Sequence, residues 1–346
     1  MRILITGAAG MIGRKLVAKL LEDGALNGKK ISQLHLHDVI EPAAFSVTPA
    51  KSGAPPVNSV RETKQRDSRL RRDDGLKIVT HVGDLAAPDA AAKLIATKPD
   101  VIFHLAGIVS GEAELNFDLG YRVNLDGTRA LFEAIRHAQI SPRLVFTSSI
   151  AVFGAPFPDV IPDDYHLTPL TSYGTQKMMG EALLADYTRK GFFDGIGIRL
   201  PTICVRPGKP NKAASGFFSG IIREPLAGVP AILPVPRDVV HTHASPRSAV
   251  NFLIHAAGLD GAYVGPRRNL TMPGVGVNVQ QQIDALMRIA GSKAVSLIED
   301  KPDAAIWAIV KNWPTRFNAK RAQDLGFVAE RNFDEIIQAH IDDSAT

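Results

Sequence analysis

The segment TSYGTQK at residues 171–177 places Tyr173 four residues before Lys177. On a helix, residues four positions apart lie on the same face, so the phenol and the ammonium would be neighbours. A phenol has an ordinary pKa of about 10 and is a poor base at neutral pH, but a nearby cation favours its ionised form. The pair is therefore a candidate acid/base, and the alternative is two residues that merely share a helix face.

A serine ends the apolar segment LVFTSS at residues 144–149, and Ser149 precedes Tyr173 by 24 residues. If this segment is a strand of a parallel sheet, its carboxyl end faces the crevice where such sheets bind ligands. Ser149 could then approach the helix that carries Tyr173 although it is distant in sequence. The alternative is that these serines satisfy backbone groups of a turn, which is plausible for Ser148.

Three glycines occur in TGAAGMIG, where Gly7, Gly10 and Gly13 follow an apolar strand and open an amphipathic helix. Glycines at this spacing allow a tight turn whose backbone N–H groups can approach a pyrophosphate at the helix N-terminus. Asp38 ends the next predicted strand, 25 residues after Gly13. This context distinguishes a dinucleotide site from a purely structural turn.

Asp38 also bears on which dinucleotide is bound. A carboxylate accepts hydrogen bonds from ribose hydroxyls but repels a 2′-phosphate, which favours NAD over NADP. Residues 61–74 carry six basic and four acidic side chains, and they lie within a segment rich in Pro, Ser and charge at about 41–75. This segment is predicted to be a loop insertion, and its arginines leave NADP as the alternative cofactor.

Strand and helix patterns alternate along the first two thirds of the chain. Apolar segments such as MRILIT, DVIFHLAG and PRLVFTSS are separated by helical segments such as RKLVAKLLEDG and SYGTQKMMGEALLADYTRKG. This alternation predicts an α/β fold, a Rossmann-type doubly wound parallel sheet with a smaller C-terminal substrate-binding domain. The predicted NAD-binding domain comprises residues 1–205 and about 238–260, with the insertion at about 41–75, and the predicted substrate-binding domain comprises about 206–237 and 261–346.

The composition excludes several classes of function. Hydrophobic residues make up 45% and charged residues 22% of the 346 residues, as in ordinary globular enzymes. The single cysteine, Cys204, excludes an internal disulfide, and no apolar run is long enough for a membrane span. His241 and His243 alternate along a predicted strand without a nearby Cys or carboxylate, so no metal site is predicted. We expect a cytoplasmic enzyme that binds neither nucleic acid nor membrane, despite its net charge of +5.

These motifs resemble those of the extended short-chain dehydrogenase/reductase family over essentially residues 1–257. The resemblance rests on the glycine turn, Asp38, GDL at 83–85, HLAG at 104–107, the serine strand end and YGTQK at 173–177. It implies that Tyr173 is the catalytic acid/base, with Lys177 as its electrostatic partner and Ser149 as the donor to the substrate oxygen. Asn124 resembles a position that supports the site, with helix capping or packing as the alternative.

Longer segments resemble the D-erythronate dehydrogenases, a bacterial group related in fold to the sugar-nucleotide epimerases. They include HASPRSAV, RLPTICVRPGKPNKAASGFFSGIIREPLAG and SSIAVFGAPFPDVIPDDYHLTPLTSYGTQK. The resemblance implies NAD-dependent oxidation of a four-carbon sugar acid at its C2 hydroxyl to the 2-keto acid, and a possible homodimer. The alternatives are a nucleotide-sugar epimerase or dehydratase that retains NAD, and a non-catalytic dinucleotide-binding module.

The same resemblance implies two sets of binding residues. For NAD they are Gly7, Gly10, Met11, Ile12, Gly13, Asp38, Asp84, Leu85, Ala106, Asn124, Tyr173, Lys177, Pro201 and Ile203. For the sugar acid they are Ser110, Ser149, Tyr173, Thr202, Asn211, Arg237 and Arg247. An arginine can bind a carboxylate through two parallel hydrogen bonds, so Arg237 or Arg247 could hold C1, and a structural ion pair is the alternative for each.

Overall fold

The computed structural model describes residues 1–42, 75–208 and 215–344. Most of the predicted insertion, residues 43–74, lies outside these ranges, as does Asn211. The strands are β1 Arg2–Thr6, β2 Ala25–Leu26, β3 Lys29–Lys30, β4 Gln33–Asp38, β5 Lys77–Val82, β6 Val101–His104, β7 Arg143–Ser149, β8 Asp194–Leu200, β9 Thr202–Ile203, β10 Ala231–Leu233, β11 Val240–Ala244, β12 Asn269–Thr271, β13 Val275–Asn278 and β14 Ile298–Asp300.

Helices connect most of these strands. The α-helices are α1 Met11–Asp23, α2 Ala90–Ile95, α3 Ser110–Leu115, α4 Phe117–Gly120, α5 Gly127–Ala138, α6 Ser172–Arg189, α7 Gly216–Leu226, α8 Pro246–Gly258, α9 Gly261–Val264, α10 Val279–Val295, α11 Ala304–Val310, α12 Lys320–Asp324 and α13 Phe333–Ser344. A π-helix spans Tyr121–Asp126, directly before α5, and a 3₁₀ turn spans Ile150–Val152. The sequence pattern predicts one continuous helix across the π-helix and α5, so the local widening is a difference from that prediction.

The central sheet has the strand order β5-β4-β1-β6-β7-β8-β12, and all of its neighbouring strands run parallel. The order reverses direction between β1 and β6, because the chain builds outward from β1 first on one side and then on the other. This arrangement is the doubly wound Rossmann order, and it confirms the predicted fold class. Ligands of such sheets bind beyond the carboxyl ends of the strands at the reversal.

Both faces of the sheet are covered by helices, as a fully apolar strand requires. In β1, Ile3 and Ile5 pack into the core beneath α1 and α8, whereas Leu4 between them packs into the core beneath α2, α5 and α6. Successive residues of a strand point to opposite faces, so the unbroken apolar run of β1 serves both cores. Because such strands are buried on both faces, their sequences are continuous apolar segments and do not alternate between apolar and polar residues.

A separate apolar core lies in the C-terminal half, where α7, α10 and α13 contribute Phe218, Leu286 and Ile336. A small sheet of order β13-β11-β9 adjoins this region, with β11 parallel to β9 and antiparallel to β13. The last strand of the central sheet, β12, also comes from this part of the chain. Residues after 261 therefore contribute both to the central sheet and to the second core.

A buried ion pair ties α6 to β8. The Arg199 guanidinium donates to the Glu181 carboxylate through Nε and Nη2 at 2.9 and 2.7 Å, and the Ser148 hydroxyl donates to the same carboxylate at 2.5 Å. The side chains of Arg199 and Glu181 are 8% and 2% exposed. Because neither charge reaches bulk water, each depends on the other for its solvation.

Glu181→Leu is expected to lower the free energy of unfolding by about 3–5 kcal/mol, because it leaves the Arg199 guanidinium buried without a counter-charge. Urea denaturation followed by circular dichroism measures this change. Arg288→Gln, which breaks the exposed Arg288–Asp334 pair, is the matched control and is expected to cost about 0–1 kcal/mol. A Glu181→Leu/Arg199→Met double variant that is no more stable than Glu181→Leu would contradict this account.

Candidate active site

A cavity of about 710 Å³ opens at the carboxyl ends of β1, β6, β7 and β8. The structure brings together here the glycine turn after β1, the end of β7 and the first turn of α6. Sequence-predicted residues that line the cavity are Gly7, Gly10, Met11, Ile12, Gly13, Ser110, Ser149, Tyr173, Lys177, Pro201, Thr202 and Ile203. The cavity therefore lies where the strand order predicts a ligand.

The glycine turn passes too close to neighbouring backbone to carry side chains. A Cβ on Gly7, whose φ is +75°, would lie 2.7 Å from the Ala106 amide nitrogen, and a Cβ on Gly13 would lie 2.2 Å from the Gly7 carbonyl oxygen. The turn leads directly into α1, which begins at Met11. The first N–H groups of a helix have no partners within the helix, and together with the positive end of the helix dipole they suit a pyrophosphate, so this turn fits a dinucleotide.

Asp38 holds the same turn from the side of β4. One carboxylate oxygen accepts a hydrogen bond from the Ala9 amide at 2.8 Å, and the other accepts from the Val39 amide at 2.7 Å. The carboxylate is therefore fixed beside the glycine turn, at the strand end where the sequence predicts a ribose-binding acid. Its contact with a ribose remains a prediction.

Asp84 and Leu85 follow β5, on the same side of the sheet reversal as Asp38. Asp84 accepts from Arg122 Nε at 2.7 Å and from the Ala86 amide at 2.8 Å, and Leu85 is buried. The Asp84 carboxylate thus already has two donors in this structure. The predicted contacts of both residues with adenine remain predictions.

Asn124 lies in the π-helix and is buried. Its side-chain oxygen accepts from the Ile108 amide at 2.9 Å, and its amide donates to the Gln176 side chain at 2.8 Å and to the Ile108 carbonyl at 3.3 Å. Asn124 does not line the cavity; it joins the loop after β6 to helix α6, which carries Tyr173. Asn124 therefore packs between that loop and α6, and its predicted support of the site remains a prediction.

Ser149, Tyr173 and Lys177 meet at one wall of the cavity. The α6 helix begins with Thr171 as its N-cap, whose hydroxyl accepts from the Gly174 amide at 3.1 Å. The buried Lys177 ammonium donates to the Thr147 carbonyl at 2.8 Å and lies 5.7 Å from the centre of the Tyr173 ring. Ser149 also accepts from the Ala151 amide at 3.1 Å, so its hydroxyl both closes the turn and faces the cavity.

The electrostatics of this wall differ from the expectation in one respect. Burial raises the pKa of Tyr173 above its usual value, and the interactions that lower it come from the Ser149 side chain and then from the Arg206 guanidinium. Burial also lowers the pKa of Lys177 to about 8, and the charge of Glu181 opposes this effect. The Arg206 guanidinium, which no sequence pattern singled out, is therefore a cation that favours the Tyr173 phenolate.

Arg237 and Arg247 lie outside the cavity wall. Arg237 binds the Asp300 carboxylate through two nitrogens, at 3.0 and 2.5 Å, and Arg247 binds Asp343 at 2.6 Å. Both side chains are exposed at the surface, with 40% and 48% of their areas accessible. Of the two roles considered for each arginine, the structure shows the ion pair.

His241 lines the cavity, and its Nε2 atom forms a hydrogen bond with the Thr202 hydroxyl at 2.7 Å. Its ring stacks on Phe218 with centroids 5.3 Å apart, and burial lowers its pKa to about 4. The ring is therefore neutral at physiological pH and packs as a polar wall residue. Within residues 1–42, 75–208 and 215–344, no group of three or more His, Cys, Asp or Glu side chains could hold a metal ion.

Comparison with known proteins identifies the family. Residues 3–241 match the model of the NAD dependent epimerase/dehydratase family. The chain belongs to that family. The predictions of an extended short-chain dehydrogenase/reductase, of an NAD-dependent enzyme and of NAD as cofactor are confirmed. In the described part of the chain, no helix is long and apolar enough to cross a membrane.

The full-length relatives of this family member include D-erythronate dehydrogenases. The protein of that name from Cupriavidus necator is 44% identical and the one from Haemophilus influenzae is 39% identical, each over 99% of both chains. The crystal structure of a nucleoside-diphosphate-sugar epimerase from Agrobacterium tumefaciens is 56% identical, with a TM-score of 0.89 over 100% of this chain and 94% of that one.

Gly13→Ala is expected to raise the Kd for NAD by about tenfold or more, equivalent to at least about 1.4 kcal/mol, because the new methyl group would collide with the Gly7 carbonyl and distort the turn. Isothermal titration with NAD measures the effect. Gly276→Ala is the matched control, since its added Cβ would meet nothing closer than 3.5 Å and Gly276 lies in β13 outside the cavity wall. An unchanged Kd in Gly13→Ala would show that the turn does not hold the cofactor.

Proposed function

We propose that the protein is an NAD-dependent oxidoreductase that oxidises the C2 hydroxyl of a four-carbon sugar acid, such as D-erythronate, to the 2-keto acid. The observation that carries this proposal is the meeting of Ser149, Tyr173 and Lys177 in the same cavity as the glycine turn. The names of the two full-length relatives from Cupriavidus necator and Haemophilus influenzae support the substrate class. Domain boundaries as predicted from the sequence would place the sugar acid between the central sheet and the second core.

In this proposal NAD, when bound, accepts the hydride that leaves C2. Tyr173 takes the proton of the C2 hydroxyl, so the C–H electron pair leaves with the hydride and the O–H electron pair forms the carbonyl. Ser149 donates a hydrogen bond to the same oxygen and keeps it beside the phenol while its charge changes. Lys177 and Arg206 supply the positive charge that favours the phenolate, because a cation near an acid lowers its pKa.

The residues proposed to hold NAD lie around the sheet reversal. The glycine turn and the α1 N-terminus would hold the pyrophosphate, Asp38 the adenosine ribose, and Lys177 the nicotinamide ribose. Asp84 and Leu85 would lie beside adenine, Ala106 beside the phosphates, and Pro201 and Ile203 at the carboxamide. The close backbone approach at Gly7 and Gly13 supports the first of these assignments.

A nucleotide-sugar epimerase that retains NAD is the second candidate, and the name of the 56% identical Agrobacterium tumefaciens structure favours it. An epimerase must hold a sugar diphosphate, and Arg237 resembles an arginine that contacts the diphosphate in such enzymes. Because Arg237 already donates two hydrogen bonds to Asp300, it is not a free anchor for a diphosphate. An epimerase would copurify with NAD and form no net NADH from free sugar acids.

Tyr173→Phe is expected to reduce the rate of NADH formation from D-erythronate by about 10²- to 10⁴-fold, because it removes the group that takes the hydroxyl proton. Absorbance of NADH measures the rate, and the Kd for NAD is expected to stay within about twofold since the ring is retained. If the wild-type protein forms no NADH from any four- or five-carbon aldonate but interconverts UDP-sugars, the protein is the epimerase instead.

The kcat/KM for oxidation is expected to rise with pH, because the base form of Tyr173 is the phenolate and burial raises its pKa. Above pH 8 the rise is opposed by loss of the Lys177 ammonium, whose pKa is about 8. Lys177→Arg keeps its charge at alkaline pH, so its profile should continue to rise where that of the wild type levels off. A wild-type optimum below pH 7, or identical profile shapes, would contradict this assignment.

A further inference from the structure

Arg206 lies in the cavity wall beside the proposed acid/base, yet it belongs to none of the site residues selected from the sequence. It lies in the segment TICVRPG, separated from the end of β9 at Ile203 by Cys204 and Val205. Its electrostatic interaction with Tyr173 lowers the pKa of that phenol. Ser149 and Tyr173 line the same cavity, so the guanidinium adjoins the space where the substrate hydroxyl is proposed to react.

The backbone and two serines hold Arg206 in place without neutralising it. Nε donates to the Ile203 carbonyl at 3.0 Å, Nη2 donates to the Ser215 hydroxyl at 2.8 Å, and the Arg206 amide donates to the Ser219 hydroxyl at 3.0 Å. A guanidinium has five N–H donors. Within the described ranges, the donors of Nη1 and the second donor of Nη2 have no hydrogen-bond partner in the protein.

No carboxylate balances this charge among the described residues. The acidic side chains that act on Arg206 are the Cys204 thiol and the Tyr173 phenol, whose pKa values are both raised by burial, so both are neutral at physiological pH. The neighbouring Arg223 adds further positive charge, although it is itself paired with Glu224. By contrast, Arg237 and Arg247 each have a carboxylate partner.

A half-buried guanidinium without a counter-charge is costly, and a bound anion would relieve that cost. The free donors on its two terminal nitrogens form the planar fork that binds carboxylates through two parallel hydrogen bonds. In a 2-hydroxy acid, the carboxylate carbon is bonded directly to the carbon that bears the reacting hydroxyl. Its anchor must therefore lie beside the acid/base, and Arg206 meets that requirement.

We propose that Arg206 is the substrate-binding residue that holds the C1 carboxylate, so that the enzyme selects 2-hydroxy acids over uncharged polyols and amides. The proposal rests on the proposed sugar-acid oxidation and adds its specificity determinant. The same guanidinium also favours the Tyr173 phenolate. The positive charge of Arg206 therefore serves both carboxylate binding and proton abstraction. Substrate orientation then follows from two fixed points, the carboxylate at Arg206 and the C2 oxygen at Ser149 and Tyr173.

The test compares D-erythronate with its uncharged amide, D-erythronamide, in the wild type, Arg206→Gln and Arg206→Lys. Arg288→Gln is the matched control, since it removes a guanidinium from an exposed ion pair outside the cavity wall. Steady-state KM and kcat are measured by NADH absorbance over a range of pH. Titration with NAD and thermal melting establish that each variant is folded and binds cofactor.

In Arg206→Gln we expect the KM for D-erythronate to rise by about 10- to 100-fold, because a hydrogen-bonded charge contact is lost. The preference for D-erythronate over the amide should disappear, and the rising limb of the pH profile should move to higher pH because the cation that lowers the Tyr173 pKa is gone. Arg206→Lys should keep the charge effect on pH and restore only part of the affinity, since an ammonium lacks the planar fork.

Two results would overturn the proposal separately. If the wild type oxidises D-erythronate and Arg206→Gln keeps its KM and its preference over the amide, Arg206 is not the anchor while the sugar-acid oxidation stands. If the wild type oxidises no aldonate, the proposed reaction fails, and the anchor fails with it. Should Arg206→Gln not fold, the same comparison in Arg206→Lys decides, because an unchanged KM there excludes two-point carboxylate binding.

Discussion

The site depends on one steric constraint, the contact between the turn after β1 and the loop after β6. Gly7 approaches the Leu105–Ala106 backbone so closely that a single added carbon would overlap with it, and Gly13 packs in the same way on the turn itself. This contact brings the two strands at the sheet reversal together at their carboxyl ends. It also points the N-terminus of α1 at the cavity, so the position of this helix end and the contact at the sheet reversal depend on the same two absent side chains.

Much of this arrangement could be predicted because it follows from local pattern and from the symmetry of parallel sheets. Strand ends gather at one edge, so Ser149 and the glycine turn had to meet, and helical spacing placed Tyr173 beside Lys177. Side-chain pairing was less predictable. The ion pair between Arg237 and Asp300 joins residues 63 positions apart, and no local pattern announces such a partner.

Arg206 shows the reverse case of a residue that sequence reasoning passed over. Its proposed role rests on the lack of a carboxylate partner for its guanidinium among the described residues. The sequence alone does not show whether a charged side chain has a partner in the folded protein. The one available indication was a basic residue just past a strand end that already carried Thr202 and Ile203. The segment at 43–74 and Asn211 lie outside the described residues, so the predictions made for them remain predictions.

Helix α6 carries Tyr173, Lys177 and Glu181 at successive four-residue intervals, and Glu181 is fixed by Arg199 of β8 and by Ser148 of β7. A slip of the helix by one residue would move it by about 1.5 Å along its axis and rotate it by about 100°. The buried carboxylate opposes that slip, so it fixes the register of α6 on the sheet. In any attempt to transplant this helix into another scaffold, Ser148 and Arg199 would have to travel with it, because they are the partners of the buried Glu181 carboxylate.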